Sequence, residues 1–187
     1  MSGRRFEDQT LGVRFEVDEA FAPGPPLDPP AGLAESVRAA YLARRDDAGS
    51  AVLSIARVEV GYETSPRELA EQLVLHNRFT AHAAEQRGWT LHSPWRAAML
   101  AGYPAMHCDY VVPVGAAAPA VRGAQPLPLA GGDAEAGTAG HVQAWIAYAG
   151  PVTWQVMLSV DPPGDLDADR RVMDEVTRSF ELLEPAG

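Results

Sequence analysis

Residues 152–160 read VTWQVMLSV, so Val152, Trp154, Val156, Leu158 and Val160 fall on every second position. Strict alternation of this kind buries one side of a β-strand. The preceding run, HVQAWIAY from His141, is separated from it only by Ala149-Gly150-Pro151. A connection this short cannot carry a parallel crossover, so the two runs predict an antiparallel hairpin. The pattern recurs upstream, where WRAAML (95–100) and MHCDYVVPV (106–114) flank the turn AGYPA. Two hairpins demand an antiparallel sheet, and other elements must cover its apolar face.

Helices are the natural cover. Ser65-Pro66-Arg67-Glu68 offers a serine cap, proline at the first helical position and glutamate at the third, the signature of a capping box. The helix it opens should run to Arg87, with Gly88 as a left-handed C-cap. Leu69, Leu73, Thr80 and Ala84 share one arc of it, which Leu75 and Phe79 widen. A closing amphipathic helix is predicted in DLDADRRVMDEVTRSFELL (165–183), where Val172, Val176, Phe180 and Leu183 recur at helical spacing. A further helix is expected over residues 31–46, entered through Pro29 and Pro30. Strands are expected at 11–17, where Val13, Phe15 and Val17 alternate, and at 52–60.

These elements make an α+β single domain over residues 1–187, a length that can bury one sizeable core. Two stretches interrupt it. Residues 22–30 hold five prolines, and residues 115–139 are mostly Gly, Ala and Pro and are expected to form a flexible loop within the domain.

Charge excludes several function classes. Fifteen basic against 25 acidic residues give a net charge of −10, the wrong sign for neutralising phosphates or anionic lipid heads, so no nucleic acid partner is expected. Every basic residue is arginine, which removes Schiff-base lysines and a P-loop lysine from consideration. The single cysteine, Cys108, cannot close an intrachain disulfide. The opening MSGRRFEDQTLGVRFEV has charges where a signal peptide needs an apolar run, so a cytoplasmic location is expected. No apolar stretch reaches the length of a membrane span, so no membrane insertion is expected.

Reactive residues find ordinary explanations. Cys108 alternates with Met106, Tyr110 and Val112 on an apolar face, where a buried thiol is inert. His107 and Asp109 point the other way. A symmetric AGYPA turn would set Arg96 opposite Asp109 as an ion pair and Ala98 opposite His107. His76 shares the arc of Leu69 and Leu73, as a hydrogen-bonded core histidine would. His82 and Glu85 stand one helical turn apart, but two ligands do not make a metal site. Asp165, Asp167 and Asp169 open like a calcium loop, yet Arg170 stands where that loop needs glycine. The three aspartates read better as a cap and first turn on the positive end of the helix. No GxSxG, GxGxxG, HExxH or CxxC motif is present, so no catalytic, metal or cofactor-binding residues are assigned and no cofactor is expected. Were chemistry assembled only in three dimensions, Asp109, His107 and His141 would be its acid–base groups. Trp145 and Trp154 read as core, whereas Trp89, Trp95 and Tyr103 lie near element ends and are the candidate interface residues.

The long helix followed by Trp89, the stretch GYPAMHCDYVV (102–112), the hairpin around Gly150-Pro151 and the ending RSFEL (178–182) together resemble the PsbP-like superfamily. That resemblance spans most of residues 11–183 and implies a three-layer sandwich with an antiparallel sheet between helices. It also implies non-catalytic work, because its members mostly bind other proteins. The lipoprotein branch differs in carrying a lipidated N-terminal cysteine, whereas Cys108 lies within a strand. The expected function is thus a non-catalytic cytoplasmic accessory or protein-binding module, its partner another protein or a second copy in a homodimer. The alternatives are a small apolar-ligand binder using a cleft between sheet and helix, and a cryptic hydrolase.

Overall fold

A computed structural model describes residues 3–24, 37–46, 49–61, 64–112, 140–161 and 165–183. The loop expected over 115–139 lies outside the described residues, as do residues 31–36 of the expected first helix. The elements are β1 (Gly3–Asp8), β2 (Val13–Asp18), β3 (Ala22–Pro23), β4 (Val37–Asp46), β5 (Gly49–Glu59), α1 (Pro66–Arg87), β6 (Thr90–Leu100), β7 (Tyr103–Val112), β8 (Gly140–Ala149), β9 (Val152–Asp161), α2 (Leu166–Ser179) and β10 (Glu181–Leu182).

Among the described residues seven strands form one antiparallel sheet in the order β3-β4-β5-β9-β8-β7-β6, and β1-β2-β10 form a small second sheet. Helix α2 packs on β2 and crosses β8 and β9, while α1 packs along β6. The large sheet is therefore the middle layer of an α+β sandwich. Its two faces carry two cores, as the period of two along each strand requires. On one face Leu53, Ile55, Val156 and Leu158 meet Val13, Phe15 and Val17 of β2 and Val172, Met173 and Val176 of α2. On the other, Met106, Cys108, Tyr110, Val142, Ala144 and Ile146 lie under α1 with Ala83. The Trp154 indole crosses the first core to donate to the Leu11 carbonyl at 3.1 Å.

Helix α1 begins as its sequence dictates. The Ser65 hydroxyl accepts from Glu68 N at 3.2 Å, and the Glu68 carboxylate accepts from Ser65 N at 2.7 Å. Gly88 ends it at φ 70°, a left-handed cap that favours glycine. Its buried line is His76, Thr80 and Ala83; Leu75, expected to widen the apolar arc, is instead 55% exposed.

Three further expectations are corrected. Residues 37–46 are strand β4, not helix, and pair with β5 along all ten positions from Val37↔Val58 to Asp46↔Gly49. Ala, Arg and Leu favour helices locally, but sheet pairing overrides a preference of about 0.7 kcal/mol or less per residue. The closing helix stops at Ser179, after which Glu181 and Leu182 pair with Arg14 and Val13 of β2. The β6–β7 turn is two residues, Ala101 (φ 51°) and Gly102 (φ 81°), not five. Positive φ at both positions gives the tight turn that matches strand twist, and it draws Tyr103 into pairing with Leu100. The register moves accordingly: Arg96 faces His107, Ala98 faces Ala105, and Asp109 faces Ser93. The expected Arg96–Asp109 pair is thereby dissolved.

Candidate functional site

Released from Arg96, Asp109 joins a buried polar cluster. Alternation sends Asp109 of β7 and His141 of β8 to the face that α2 crosses, and the N-terminal end of α2 supplies Asp169 and Arg170. His141 is 1% exposed. Its Nδ1 donates to Asp169 Oδ2 and its Nε2 to Asp109 Oδ1, each at 2.8 Å. Ionised carboxylates only accept, so both ring nitrogens carry protons and His141 is an imidazolium. Burial alone would depress its pKa, but the hydrogen bonds and charges of Asp109 and Asp169 outweigh burial and push it up to about 9.

The cluster continues outward. Asp109 Oδ2 accepts from Arg170 Nε at 2.7 Å, and Arg170 Nη1 donates to Asp167 Oδ1 at 2.9 Å. Burial would raise the Asp109 carboxyl, yet the bonds and charges of His141 and Arg170 hold it below the ordinary value. Charges thus alternate from Asp169 through His141, Asp109 and Arg170 to Asp167. With both nitrogens donating, His141 has no lone pair with which to accept a substrate proton. The arrangement acts as a clamp that fastens the N-terminus of α2 to β7 and β8.

Of the three acid–base candidates, the structure brings Asp109 and His141 together and leaves His107 apart. His107 stacks on Trp145 with ring centres 4.7 Å apart, and burial, then the nearby Arg96 charge, holds its pKa down. Asp165 does cap α2, its Oδ1 accepting from Asp167 N at 3.0 Å. Asp169, read as a helix-end charge, is instead a buried partner of His141. The signal for it was its helical spacing to Val172, Met173 and Val176, which places it on the buried stripe.

The aromatic candidates divide. Trp89 and Trp95 are buried beneath α1, so they are core and not surface residues. Trp89 stacks on Tyr110 at 4.8 Å. The Trp95 backbone is held by Asn77 of α1, whose Nδ2 donates to the Trp95 carbonyl at 2.9 Å and whose Oδ1 accepts from Trp95 N at 2.8 Å. Tyr103 stays exposed at the β6–β7 turn. His76 is buried as expected, its Nδ1 2.8 Å from the Gln72 carbonyl oxygen, but its Nε2 has no partner among the described residues. Cys108 lies in the core under α1, where burial and then the Asp109 charge raise the thiol well above its ordinary value. His82 and Glu85 are exposed on α1, and no metal-holding group of His, Cys, Asp or Glu occurs among the described residues.

A cleft of about 260 Å³ opens between the N-terminal half of α1 and the large sheet. It lies where an apolar-ligand pocket was expected, but its walls mix Val58 and Ile146 with Glu68, Glu71, Gln72 and Gln155. On α1, Glu68, Glu71, Gln72 and Leu75 fall along one edge at helical spacing, so exposed Leu75 continues the cleft wall onto the surface. No helix among the described residues is long and apolar enough to cross a membrane.

No family model matches the chain, and no curated protein matches it in sequence. Solved structures do. A protein from Bacteroides thetaiotaomicron VPI-5482 superimposes with a TM-score of 0.59 at 10% identity, over 98% of this chain, which spans only 50% of that one. The cyanobacterial PsbP (CyanoP) of Synechocystis sp. PCC 6803 gives a TM-score of 0.56 at 15% identity, covering 97% of this chain and 92% of its own. LpqN of Mycobacterium tuberculosis, described as involved in cell envelope biogenesis, gives 0.52 at 9% identity, covering 92% and 83%. The fold is therefore PsbP-like, an antiparallel sheet between helices. At such identities the likeness extends to the fold alone.

Proposed function

We propose that this PsbP-like chain is a non-catalytic accessory module of the cytoplasm that works by binding another protein. The observation that carries the reading is the cleft beside α1. Leu75, 55% exposed, stands one helical turn beyond the lining residues Glu71 and Gln72 on α1, and the cleft walls offer apolar and polar groups together, the mixture found where proteins recognise one another. Support also comes from the buried cluster, in which His141, Asp109 and Arg170 spend their hydrogen bonds on one another and so serve packing. The test is capture on the immobilised full chain from a lysate of the source cell, alongside the Leu75→Asp variant. A discrete protein retained by the wild type and lost with Leu75→Asp is expected. Equal retention by both would remove the cleft rim from the function.

A further inference from the structure

The cleft beside α1 has a chemistry more specific than its shape. Its ≈ 260 Å³ falls below the range of about 300–1,000 Å³ typical of sites for whole cofactors or drug-sized ligands, so it suits a single side chain. Among the described residues every fixed charge on its wall is negative, from Glu68 and Glu71 one helical turn apart on α1. One oxygen of Glu68 is spent on Ser65 N, and the Ser65 backbone and hydroxyl bonds hold its carboxyl below the ordinary value, so it stays ionised. Among the described residues Glu71 is tied to Arg67 alone, a surface pair in which both side chains are exposed and which therefore holds the carboxylate weakly.

A second, independent observation comes from the sheet side. Thr153, only 6% exposed, lines the cleft, and its hydroxyl has no hydrogen-bond partner among the described residues. The neighbouring Gln155 amide also lines the cleft without a side-chain partner among the described residues. A hydroxyl on a nearly buried side chain that faces the same cleft as two carboxylates can accept from a donor placed there. Tyr148 adds an aromatic ring to the same wall, and Val58 and Ile146 an aliphatic one.

We infer that the cleft receives the guanidinium of an arginine side chain presented by the protein partner. This rests on the protein-binding reading above and names the partner's chemistry. A guanidinium fits the set better than an ammonium does. It has five donors for Glu68, Glu71, Thr153 and Gln155, a planar face for Tyr148, and an aliphatic stem that can lie along Val58 and Ile146. The net charge of −10 steers such a cationic segment toward the surface. Leu75 at the rim offers an apolar contact to a residue flanking the arginine.

The test is a titration of the full chain with N-acetyl-arginine amide, and with N-acetyl-citrulline amide as its neutral isostere, followed by ¹H–¹⁵N NMR. Two variants keep the fold: Glu68→Gln with Glu71→Gln retains the capping box, because glutamine serves at the third helical position, and Thr153→Val is nearly isosteric. The arginine probe should shift the amides of residues 71, 148, 153 and 155, while the citrulline probe leaves them in place. The double glutamine variant should weaken arginine binding about tenfold, with a smaller loss from Thr153→Val. Equal response to both probes, shifts spread over the acidic surface, or unchanged binding by the double variant would overturn the inference. A partner captured by the chain and held equally by the double variant would leave the protein-binding reading intact and refute the arginine site alone. Arginine binding with no captured partner would do the reverse.

Discussion

Raising the pH removes the proton that His141 holds between two carboxylates, and the stability consequence can be worked from the site. Its folded-state pKa is about 9 against an ordinary 6.5. A pKa raised on folding contributes stability that is fully present below the unfolded value and is lost as pH rises through the folded one. The full contribution is about 3 kcal/mol, and about 2 kcal/mol of it should vanish between about pH 7 and pH 8.5. The window isolates His141. His76 and His107 are depressed, so their stability effects lie below the ordinary histidine value, and the raised Cys108 and Tyr110 act at higher pH. Urea unfolding at constant ionic strength across this window gives the free energy at each pH. His141→Gln should lower stability at neutral pH and flatten the slope across the window. A wild-type curve already flat from pH 7 to 8.5, or one whose slope survives His141→Gln, would refute the imidazolium assignment.

Cys108 should react slowly with a thiol reagent in the native protein and fast in denaturant, and Cys108→Ser should cost about 1–3 kcal/mol, more than Cys108→Ala. Rapid native labelling would contradict its burial. Trp154→Phe should lose about 1–3 kcal/mol by leaving the buried Leu11 carbonyl unpaired, read as a lower urea midpoint at unchanged slope. Gly88→Ala should cost about 1 kcal/mol because the cap needs φ near 70°, and a neutral result in thermal unfolding would argue against that geometry.

What the sequence discloses depends on how local the determinant is. Helix α1 was readable to the residue, because Ser65, Pro66, Glu68 and Gly88 specify both its ends within one turn each. The β8–β9 hairpin was equally plain from the alternation around Gly150-Pro151. Strand β4 was not, since Val37–Asp46 is rich in helix-favouring residues and becomes a strand only because β5 pairs with it. Strand β1, GRRFED, was missed for a related reason: its pairing with β2 is what makes it a strand. In the buried cluster, Asp109 and His141 are legible together with His107 as acid–base groups, but nothing local joins them to Asp169 and Arg170. A two-residue turn at Ala101-Gly102 decided where Asp109 would sit. The cleft is less legible still, since it arises between a helix edge and a sheet face far apart in sequence.

The central claim, that the cleft beside α1 is where a protein partner docks, is tested most directly by photo-crosslinking in the source cell. A benzophenone amino acid is placed at residue 75 on the cleft rim and, as a control, at residue 7 on the exposed side of β1. A discrete protein adduct from position 75, absent from position 7 and diminished when Glu68 and Glu71 are replaced by glutamine, is the predicted result. No adduct from position 75, or the same adducts from both positions, would contradict the account.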